Sequence, residues 1–271
     1  MIDSKLLISV EQLKQDIDAG LSPKRCIVDL GSRENYLNGH IPGAVFLPFQ
    51  ALLKGEPPVP GKIASDEQLS QVFSALGLSD ELEFLVYDDE GGGWAGRFIW
   101  TLDAIGHKNY RYIDGGLQAW LKAGFDTEST INQRPEQAVN VSADKSYLIG
   151  VDELIEIINQ QSHCIWDARS PGEYSGQRVL AAKAGHMPGA LNCEWTELMD
   201  SSNGLRIRDD AKAYLAERGI DGSKAIVTHC QGHHRSGFTY LVGRVLGFDI
   251  AAYHGAWAEW GNHPETPVEL N

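Results

Sequence analysis

The sequence lacks long hydrophobic runs, and its basic residues are fewer than its acidic ones. No apolar stretch among the 271 residues approaches the length of about 18 that a transmembrane helix needs, so we expect no membrane span. Lysine and arginine number 23 against 37 aspartates and glutamates, which gives a formal net charge of −14 at pH 7. This balance argues against nucleic acid or an anionic membrane as a partner. An anionic substrate would need a local site of positive charge.

Cysteine is also scarce, with four residues in the whole chain. So few cysteines in this length do not form the disulfide framework of a small secreted protein. The first residues, Met1–Lys5, lack the basic-then-apolar pattern of a signal peptide. We therefore expect a cytoplasmic protein in which the thiol of Cys230 stays free.

An internal repeat sets the domain organisation. Three motifs occur twice, as Cys26–Leu30 and Cys164–Ala168, Gly39–Ala44 and Gly185–Ala190, and Asp114–Trp120 and His254–Trp260. Their separation is far too long for a solenoid and predicts two copies of one domain of about 125 residues. The polar stretch 126–146 is interpreted as a linker between an N-terminal domain at 1–125 and a C-terminal domain at 147–271.

Both halves read as strands alternating with helices. The predicted strands are Cys26–Leu30, Glu83–Tyr87, Cys164–Ala168 and Ala225–Thr228. The predicted helices are Asp66–Leu76, Trp94–Ile105, Val151–Asn159, Asp209–Arg218 and Phe238–Leu246. Short apolar strands separated by helices predict an α/β fold, in which each domain is a mostly parallel sheet with helices on both faces. Ligands of such sheets bind at the carboxyl ends of the strands.

The segment Ala225–Gly237 carries the strongest functional signal. A β-branched apolar run leads to Cys230, and a helical segment follows from Phe238. The order strand, tight loop, helix aims backbone N–H groups and the positive end of a helix dipole at one point. That environment lowers the pKa of a cysteine, and a thiolate in an anion-binding loop predicts covalent chemistry on an anionic substrate. The alternative is an inert cysteine buried at a strand end.

Further motifs in the two halves resemble a known family. Asp167–Tyr174, Gly185–Ala190 and the Cys230 loop resemble the rhodanese family of sulfurtransferases, and the first of these marks recurs at Asp29–Tyr36. The resemblance covers nearly the whole chain and implies a tandem-domain member with a catalytically silent N-terminal copy. The first half agrees, because Tyr87–Gly93 has acidic residues and glycines where the nucleophile would be.

The loop from Cys230 to Arg235 resembles a bacterial variant found in thiosulfate-using members. The resemblance implies that sulfane sulfur passes from thiosulfate to a thiophilic acceptor, such as cyanide, through a persulfide on Cys230. Members that use mercaptopyruvate carry a Gly-Ser-Gly loop, and cysteine phosphatases have five residues between their cysteine and arginine. Here four residues separate the two. We expect a smaller ring of N–H groups, suited to a terminal sulfur and too small for a phosphate.

Two arginines are candidates for binding the donor. Arg235 presents a planar fork of N–H groups that suits an oxyanion, and a cation in the first turn of a helix opposes the dipole and so requires a reason. The resemblance implies that Arg169 also contacts the anionic donor. A salt bridge from Arg169 to Glu173 or to another acid is the alternative.

The rest of the loop completes the predicted site. Its remaining donor-binding candidates are Gln231, Gly232, His233 and His234. The two histidines either donate to the substrate or face solvent. Asp167 resembles a family position that supports the loop by hydrogen bonding, and Cys26 and Cys164 are interpreted as buried packing residues. No histidine has the spacing typical of metal ligands, so we expect no metal and no other cofactor.

Two classes of function stay open at this point. The first is a sulfurtransferase enzyme that uses a small anionic donor, either thiosulfate or, alternatively, 3-mercaptopyruvate. The second is a sulfur carrier whose persulfide supplies sulfur-accepting partner proteins. Both classes need the same loop, so the sequence does not separate them.

Overall fold

A computed structural model describes residues 4–270, which form two successive α/β domains. The strands and helices of the first domain are β1 (Leu7–Ile8), α1 (Val10–Asp18), β2 (Arg25–Asp29), α2 (Arg33–Asn38), β3 (Val45–Phe46), α3 (Asp66–Ala75), β4 (Glu83–Tyr87), α4 (Gly93–Ala104), β5 (Tyr110–Ile113) and α5 (Gly116–Lys122). Those of the second are α6 (Val151–Gln160), β6 (Cys164–Asp167), α7 (Pro171–Tyr174), β7 (Leu191–Asn192), β8 (Met199–Asp200), β9 (Arg206–Ile207), α8 (Ala211–Ala216), β10 (Ile226–His229), α9 (Arg235–Val245), β11 (Ile250–Ala252) and α10 (Ala256–Trp260). No helix in 4–270 combines the length and apolarity that crossing a bilayer requires.

Each domain is built on a parallel sheet. The first sheet has the strand order β1-β5-β4-β2-β3, and the second has the order β11-β10-β6-β7. All neighbouring strands within these two sheets run parallel, whereas β8 and β9 form a separate antiparallel pair. Strands β4 and β10 therefore occupy interior positions in their sheets, and their carboxyl ends are flanked by neighbouring strands.

Helices cover both faces of both sheets. In the first sheet, Val28 packs in a core that includes α3 and α4, whereas the adjacent Ile27 packs with α1 and α5. In the second, Trp166 packs with α8 and α9, whereas Ile165 packs with α6 and α10. Alternate side chains point to opposite faces, so strands covered on both sides must be apolar throughout. The predicted α/β class is confirmed.

The two domains meet along α4 and α9, the helices that follow β4 and β10. Their backbones come close at Gly96 and Gly237, where a Cβ on Gly237 would lie 2.5 Å from the amide nitrogen of Arg97. One continuous hydrophobic core extends through both domains beside this crossing. Helix α4 begins just after the loop that follows β4, and α9 begins just after the loop that follows β10. The crossing of the two helices therefore also brings these two loops together.

Two helices, α8 and α9, have boundaries more than one residue away from the sequence prediction. Helix α9 begins at Arg235, three residues before the predicted start at Phe238, so the residues closest to the loop already belong to its first turn. Helix α8 is shorter than predicted because Asp210 stays outside it and pairs with Arg208.

The segment 126–146 lies along the first domain and has no helix or strand before a short 3₁₀ turn at Lys145–Tyr147. The guanidinium of Arg134 donates to three backbone carbonyls of that domain, those of Pro23, Arg25 and Leu76. Because the segment is attached to the first domain in this way, the boundaries at 125 and 147 stay a prediction.

Candidate active site

Cys230 follows directly after β10 and begins the loop to α9. Its side chain is buried. The sulfur accepts a hydrogen bond from the hydroxyl of Ser236 at 3.4 Å, and the backbone N–H groups of Gly232 and Ser236 also donate to it. The loop and the first turn of the helix thus form the anion cradle that the order of elements predicts.

The electrostatics of the cradle favour a thiolate. Burial raises the pKa of the Cys230 thiol, but the Arg235 guanidinium, the Ser236 hydroxyl and two backbone N–H groups together hold that pKa below its ordinary value. In the other three cysteines burial raises the pKa, to about 12 in Cys26, about 11 in Cys164 and about 12 in Cys193. All four cysteines lie in the described part of the chain, and Cys230 is the one with the lowered pKa that a sulfur nucleophile needs.

Of Cys26 and Cys164, which are both expected to be buried, only Cys26 is buried in the structure. Cys26 is buried, whereas Cys164 is half-buried at the amino end of β6. The difference follows from its place, since a residue that begins a strand lies at the rim of the sheet.

Arg235 is held by Glu173. Its guanidinium donates to both carboxylate oxygens, at 2.6 and 2.8 Å. Burial raises the pKa of Glu173, but Arg235 and the Ser170 hydroxyl lower it to about 2. Ser170 and Glu173 form a capping box at the start of α7, which fixes the carboxylate in position. The cation in the first turn of α9 is therefore balanced by Glu173 and by the Cys230 thiolate.

Arg169 forms a salt bridge with Asp167, which is the alternative to a contact with the donor. Its guanidinium donates to the Asp167 carboxylate at 2.6–3.0 Å and to the carbonyl of Gly185 at 2.8 Å. It also lies over the ring of Trp257, 4.1 Å from the centroid. This buried arrangement favours a structural role over the expected contact with the donor.

Asp167 lies beside His229, the last residue of β10, and its carboxylate forms no hydrogen bond to the described residues of the Cys230 loop, so its expected support of the loop stays a prediction. Its carboxylate accepts the backbone N–H of Arg169 at 3.0 Å and lies 3.6 Å from Nε2 of His229. Burial raises the pKa of Asp167, but His229 and Arg169 bring it below its usual range. Burial lowers the pKa of His229 to about 4, against the opposing effect of Asp167, so this histidine is neutral near pH 7.

His233 is buried, so the solvent-facing alternative is wrong for it. Its Nδ1 lies 2.8 Å from the hydroxyl oxygen of Ser236. Since that hydroxyl donates to the Cys230 sulfur, the hydrogen between the two residues belongs to Nδ1 of His233. Burial holds the pKa of His233 well below its ordinary value. A neutral His233 thus orients the Ser236 hydroxyl toward the sulfur.

The side chains of the other loop residues, His234 and Gln231, contact different parts of the protein. His234 is half-buried, pairs with Glu90 of the first domain and packs its ring against Trp195. Gln231 donates to the carbonyl of Leu180 at 3.3 Å, and its own side-chain oxygen is buried without a partner among the described residues. The structure therefore separates the four loop candidates. The N–H of Gly232 binds the sulfur, whereas His233 acts from behind the loop.

The corresponding loop of the first domain is filled by its own side chain. Asp88 follows β4 as Cys230 follows β10, and its carboxylate accepts the backbone N–H groups of Glu90, Gly91, Gly92 and Ala95 at 2.7–3.1 Å. A carboxylate in this cradle satisfies the N–H groups that would otherwise bind an anion. This geometry supports the prediction that the first copy is silent, which stays a prediction.

Three residues of this region have roles that the sequence does not predict. The signal for Ser236 is its place directly after Arg235 at the start of the helix. Glu173 is a sequence candidate only as a partner of Arg169. Arg97, which contacts the loop from the first domain, had no local signal, because its proximity depends on the packing of α4 against α9. Within 4–270 no cluster of three or more histidines, cysteines and carboxylates could hold a metal ion.

Comparison with known proteins agrees with this geometry. The sequence profile of the rhodanese-like domain matches the chain twice, at residues 9–123 and 150–263. The chain belongs to the rhodanese-like family. Both rhodanese-like domains coincide with the two parallel sheets, and the second contains the Cys230 cradle.

Individual rhodanese relatives cover nearly the whole chain. A thiosulfate sulfurtransferase of Azotobacter vinelandii is 49% identical over 257 residues, which is 94% of this chain and 95% of that protein. A thiosulfate sulfurtransferase of Pseudomonas aeruginosa is 45% identical over 284 residues, covering 99% of this chain and 98% of that protein. Among solved structures, the 3-mercaptopyruvate sulfurtransferase SseA of Escherichia coli superposes with a TM-score of 0.79 at 27% identity, covering 93% of this chain and 99% of that one.

Proposed function

We propose that this chain is a thiosulfate sulfurtransferase, which takes the sulfane sulfur of thiosulfate onto Cys230 and passes it to a thiophilic acceptor. The observation that carries the proposal is the Cys230 cradle, in which a buried thiol has a lowered pKa and receives three hydrogen bonds. The identity of 45–49% to thiosulfate sulfurtransferases over nearly the full length supports thiosulfate as the donor.

The first half-reaction forms a persulfide. The Cys230 thiolate attacks the outer sulfur of thiosulfate, a new S–S bond forms, and the S–S bond of thiosulfate breaks. The bonding electron pair leaves with sulfite. The cradle N–H groups and the Ser236 hydroxyl stabilise the negative charge on the terminal sulfur of the persulfide. No proton has to move, because the nucleophile is already ionised.

The second half-reaction returns the enzyme to its starting state. A nucleophile such as cyanide attacks the terminal sulfur of the persulfide and leaves as thiocyanate, while the electron pair of the broken S–S bond remains on the Cys230 thiolate. The two half-reactions make a double displacement through a covalent intermediate. The loop is suited to this chemistry because it stabilises the same sulfur anion before and after each transfer.

Arg235 recruits the donor in this proposal. The formal net charge of −14 repels thiosulfate at long range, so a local cation is needed at the mouth of the site. Two N–H groups of Arg235 are bound to Glu173, and that pair orients the guanidinium beside the sulfur. Gln231 and His234 belong to the same loop and are proposed to complete the donor site.

Intact mass measurement tests the proposal. After incubation with thiosulfate the protein should gain about 32 Da, one sulfur atom on one activated thiolate, and cyanide should remove it. Tryptic mapping should place the added sulfur on the Cys230 peptide. C230S should gain nothing and transfer no sulfur, whereas the matched control C164S should behave as wild type. Sulfur found mainly on another cysteine would contradict the assignment.

The choice of donor is tested by rates measured side by side. Thiosulfate should be turned over faster than 3-mercaptopyruvate, and an aryl phosphate should not be hydrolysed, because the short loop has too few N–H groups for a phosphate. Faster turnover of mercaptopyruvate would replace thiosulfate as the proposed donor. Phosphate release at a comparable rate would contradict the loop-size argument.

The physiological setting remains a prediction. Sulfur-accepting proteins are proposed acceptors beside cyanide and small thiols. A cytoplasmic location is proposed because a free Cys230 thiol persists in a reducing compartment, and all four cysteines are free.

A further inference from the structure

Arg97 lies on α4 of the first domain and reaches the active loop of the second. Its side chain is fully buried. The guanidinium donates to the carbonyl oxygens of Gly61 at 2.9 Å, Leu52 at 3.4 Å and His233 at 3.4 Å. The last of these carbonyls belongs to the loop that begins at Cys230. A charged side chain of the silent domain is thus in direct contact with the catalytic loop.

The charge of Arg97 has no carboxylate partner among residues 4–270. The other arginines around the site are paired, Arg169 with Asp167 and Arg235 with Glu173. Arg97 is surrounded by carbonyl oxygens and the ring of Trp100, and its Nε is buried without a hydrogen-bond partner in the described structure. A buried charge without a counter-charge is strongly unfavourable, so an anion nearby would stabilise it.

The anion available to Arg97 is the sulfur of Cys230. Arg97 binds the carbonyl of His233, whose ring binds the Ser236 hydroxyl, and that hydroxyl binds the sulfur. Burial lowers the pKa of Arg97 to about 9, and the Cys230 thiolate acts against that effect. The two groups are therefore connected through the loop and also interact by charge.

We propose that Arg97 is a positioning residue, contributed by the silent domain, that stabilises the anionic forms of Cys230 with a buried positive charge and holds the loop through the carbonyl of His233. The inference rests on the proposed function, since it takes Cys230 to react as a thiolate. It assigns the first domain a part in the reaction although that domain has no nucleophile.

Several titratable groups surround this pair, and none of them is a buried carboxylate facing Arg97. His233 and His254 lie near Arg97, and burial keeps both neutral near pH 7 by lowering their pKa values. The remaining ionisable neighbours, from the elements packed against the loop, are Lys62, Glu90, Asp167, Glu173, His229, His234, Arg235 and Glu259. Lys62 pairs with Glu259, and the other three acids pair with cations of the second domain, Glu90 with His234, Asp167 with Arg169 and Glu173 with Arg235.

The pH dependence of Cys230 alkylation tests the proposal without using sulfur transfer. The rate of iodoacetamide labelling is followed on the Cys230 peptide by mass spectrometry in wild type, R97M and R134M. Methionine fills the space of the arginine but has no charge. We expect R97M to shift the profile to higher pH, so that labelling below the pKa is roughly three- to ten-fold slower while the high-pH plateau is retained. R134M also removes an arginine held by three carbonyls, but at the amino end of β2, away from the carboxyl end of the sheet, and its profile should match wild type.

The outcomes separate the two proposals. If wild-type Cys230 has no lowered pKa, the proposed function fails. If wild type has it and folded R97M has the same profile, only the role of Arg97 is overturned. A uniform loss of rate at every pH in R97M would also overturn it, because that result indicates a purely structural role.

A second variant and a second measurement cover a failure of R97M to fold. R97Q also lacks the charge but can still donate to one carbonyl, and it should show the same shift in profile. Independently of any Arg97 variant, persulfide-loaded wild type should unfold at a higher urea concentration than C230S, because only the former supplies an anion for the buried cation. Equal midpoints would contradict the proposal.

Discussion

The charge on the Cys230 sulfur depends on a few short-range contacts. Ser236 is the most direct of them, since its hydroxyl and its backbone N–H both donate to the sulfur. His233 holds the hydroxyl in the donating orientation from a buried position. At the scale of the residue, reactivity therefore belongs to a hydrogen-bonded group of three side chains and not to the cysteine alone.

Replacing Ser236 by alanine should raise the pKa of Cys230. Loss of one hydrogen bond to the anion is expected to slow thiosulfate turnover about three- to ten-fold at pH values below that pKa, with recovery at higher pH. The pH profile of kcat/KM with thiosulfate measures this, and S202A, at an exposed turn, serves as the control. An S236A profile with the same midpoint as wild type would exclude this role for the hydroxyl.

Replacing Arg235 by alanine has two consequences that must be separated. It removes a charged donor, which is expected to lower kcat/KM for thiosulfate about ten- to hundred-fold. It also leaves the buried Glu173 carboxylate with its Ser170 hydrogen bonds but without a positive charge to balance it, which destabilises the fold. In R235A/E173Q the urea midpoint should recover, whereas the loss in kcat/KM should remain. Recovery of both quantities would show that Arg235 acts only through the fold.

Among the helices and strands, α4 and α9 pack against each other and thereby place the first domain beside the Cys230 loop of the second. Gly96 and Gly237 allow their backbones to touch, and both residues lie within the first turns that follow the two loops. Farther along the crossing, the buried Asp103 carboxylate accepts the hydroxyl of Tyr240 at 2.6 Å and pairs with Arg244. The crossing is thus fixed by close backbone packing at one end and by polar contacts at the other.

An alanine at Gly96 should disrupt this crossing. The added Cβ would collide with the carbonyl oxygen of Gly237, which is backbone and cannot rotate away. We expect a loss in the free energy of unfolding of about 1–3 kcal/mol, measured by urea denaturation, together with reduced sulfur transfer. G172A, in a helix with open space around it, should be as stable as wild type or slightly more stable. Equal midpoints for G96A and wild type would contradict the close approach.

In the molecule as a whole, the half-buried Asp114 connects the two domains. Asp114, which follows β5, accepts the backbone N–H of Ile207 in the second domain at 2.9 Å. Burial raises the pKa of Asp114 to about 6, against the opposing effects of that N–H group and of Arg206. The pKa of Asp114 is higher in the folded protein than in the unfolded chain, so the protonated carboxyl stabilises the fold relative to the ionised one. This stabilisation is complete below about pH 4 and is lost as the pH rises through 6.

The substitution D114N should therefore change stability in a pH-dependent way. Asparagine can still accept a hydrogen bond from the N–H of Ile207 but never ionises. The free energy of unfolding of D114N should therefore increase relative to that of wild type as the pH rises from 4 to 7. The expected gain in unfolding free energy is on the order of 1–3 kcal/mol. Urea midpoints at pH 4 and pH 7 measure it, and a difference from wild type that is equal at both pH values would contradict the assignment.

Much of the fold was predictable from local patterns. The strand Glu83–Tyr87 was predicted with the boundaries it has, because a buried parallel strand is a short, continuous apolar run. The repeat predicted two similar domains, and the profile matches at 9–123 and 150–263 agree with it. The start of α9 at Arg235 differs from the predicted start at Phe238, since the residue at the N-cap is His234, which is not a typical capping residue and forms no side-chain capping hydrogen bond.

The candidate site divides in the same way between local and distant contacts. The position of Cys230 at a strand end before a helix, in a cradle that lowers its pKa, can be predicted from the sequence because it depends on neighbouring residues. The pairing of Arg235 with Glu173, the pairing of Arg169 with Asp167 and the contact of Arg97 with the active loop become visible in the folded structure alone. Charged side chains pair according to distance in space, and packing of the helices and loops sets that distance.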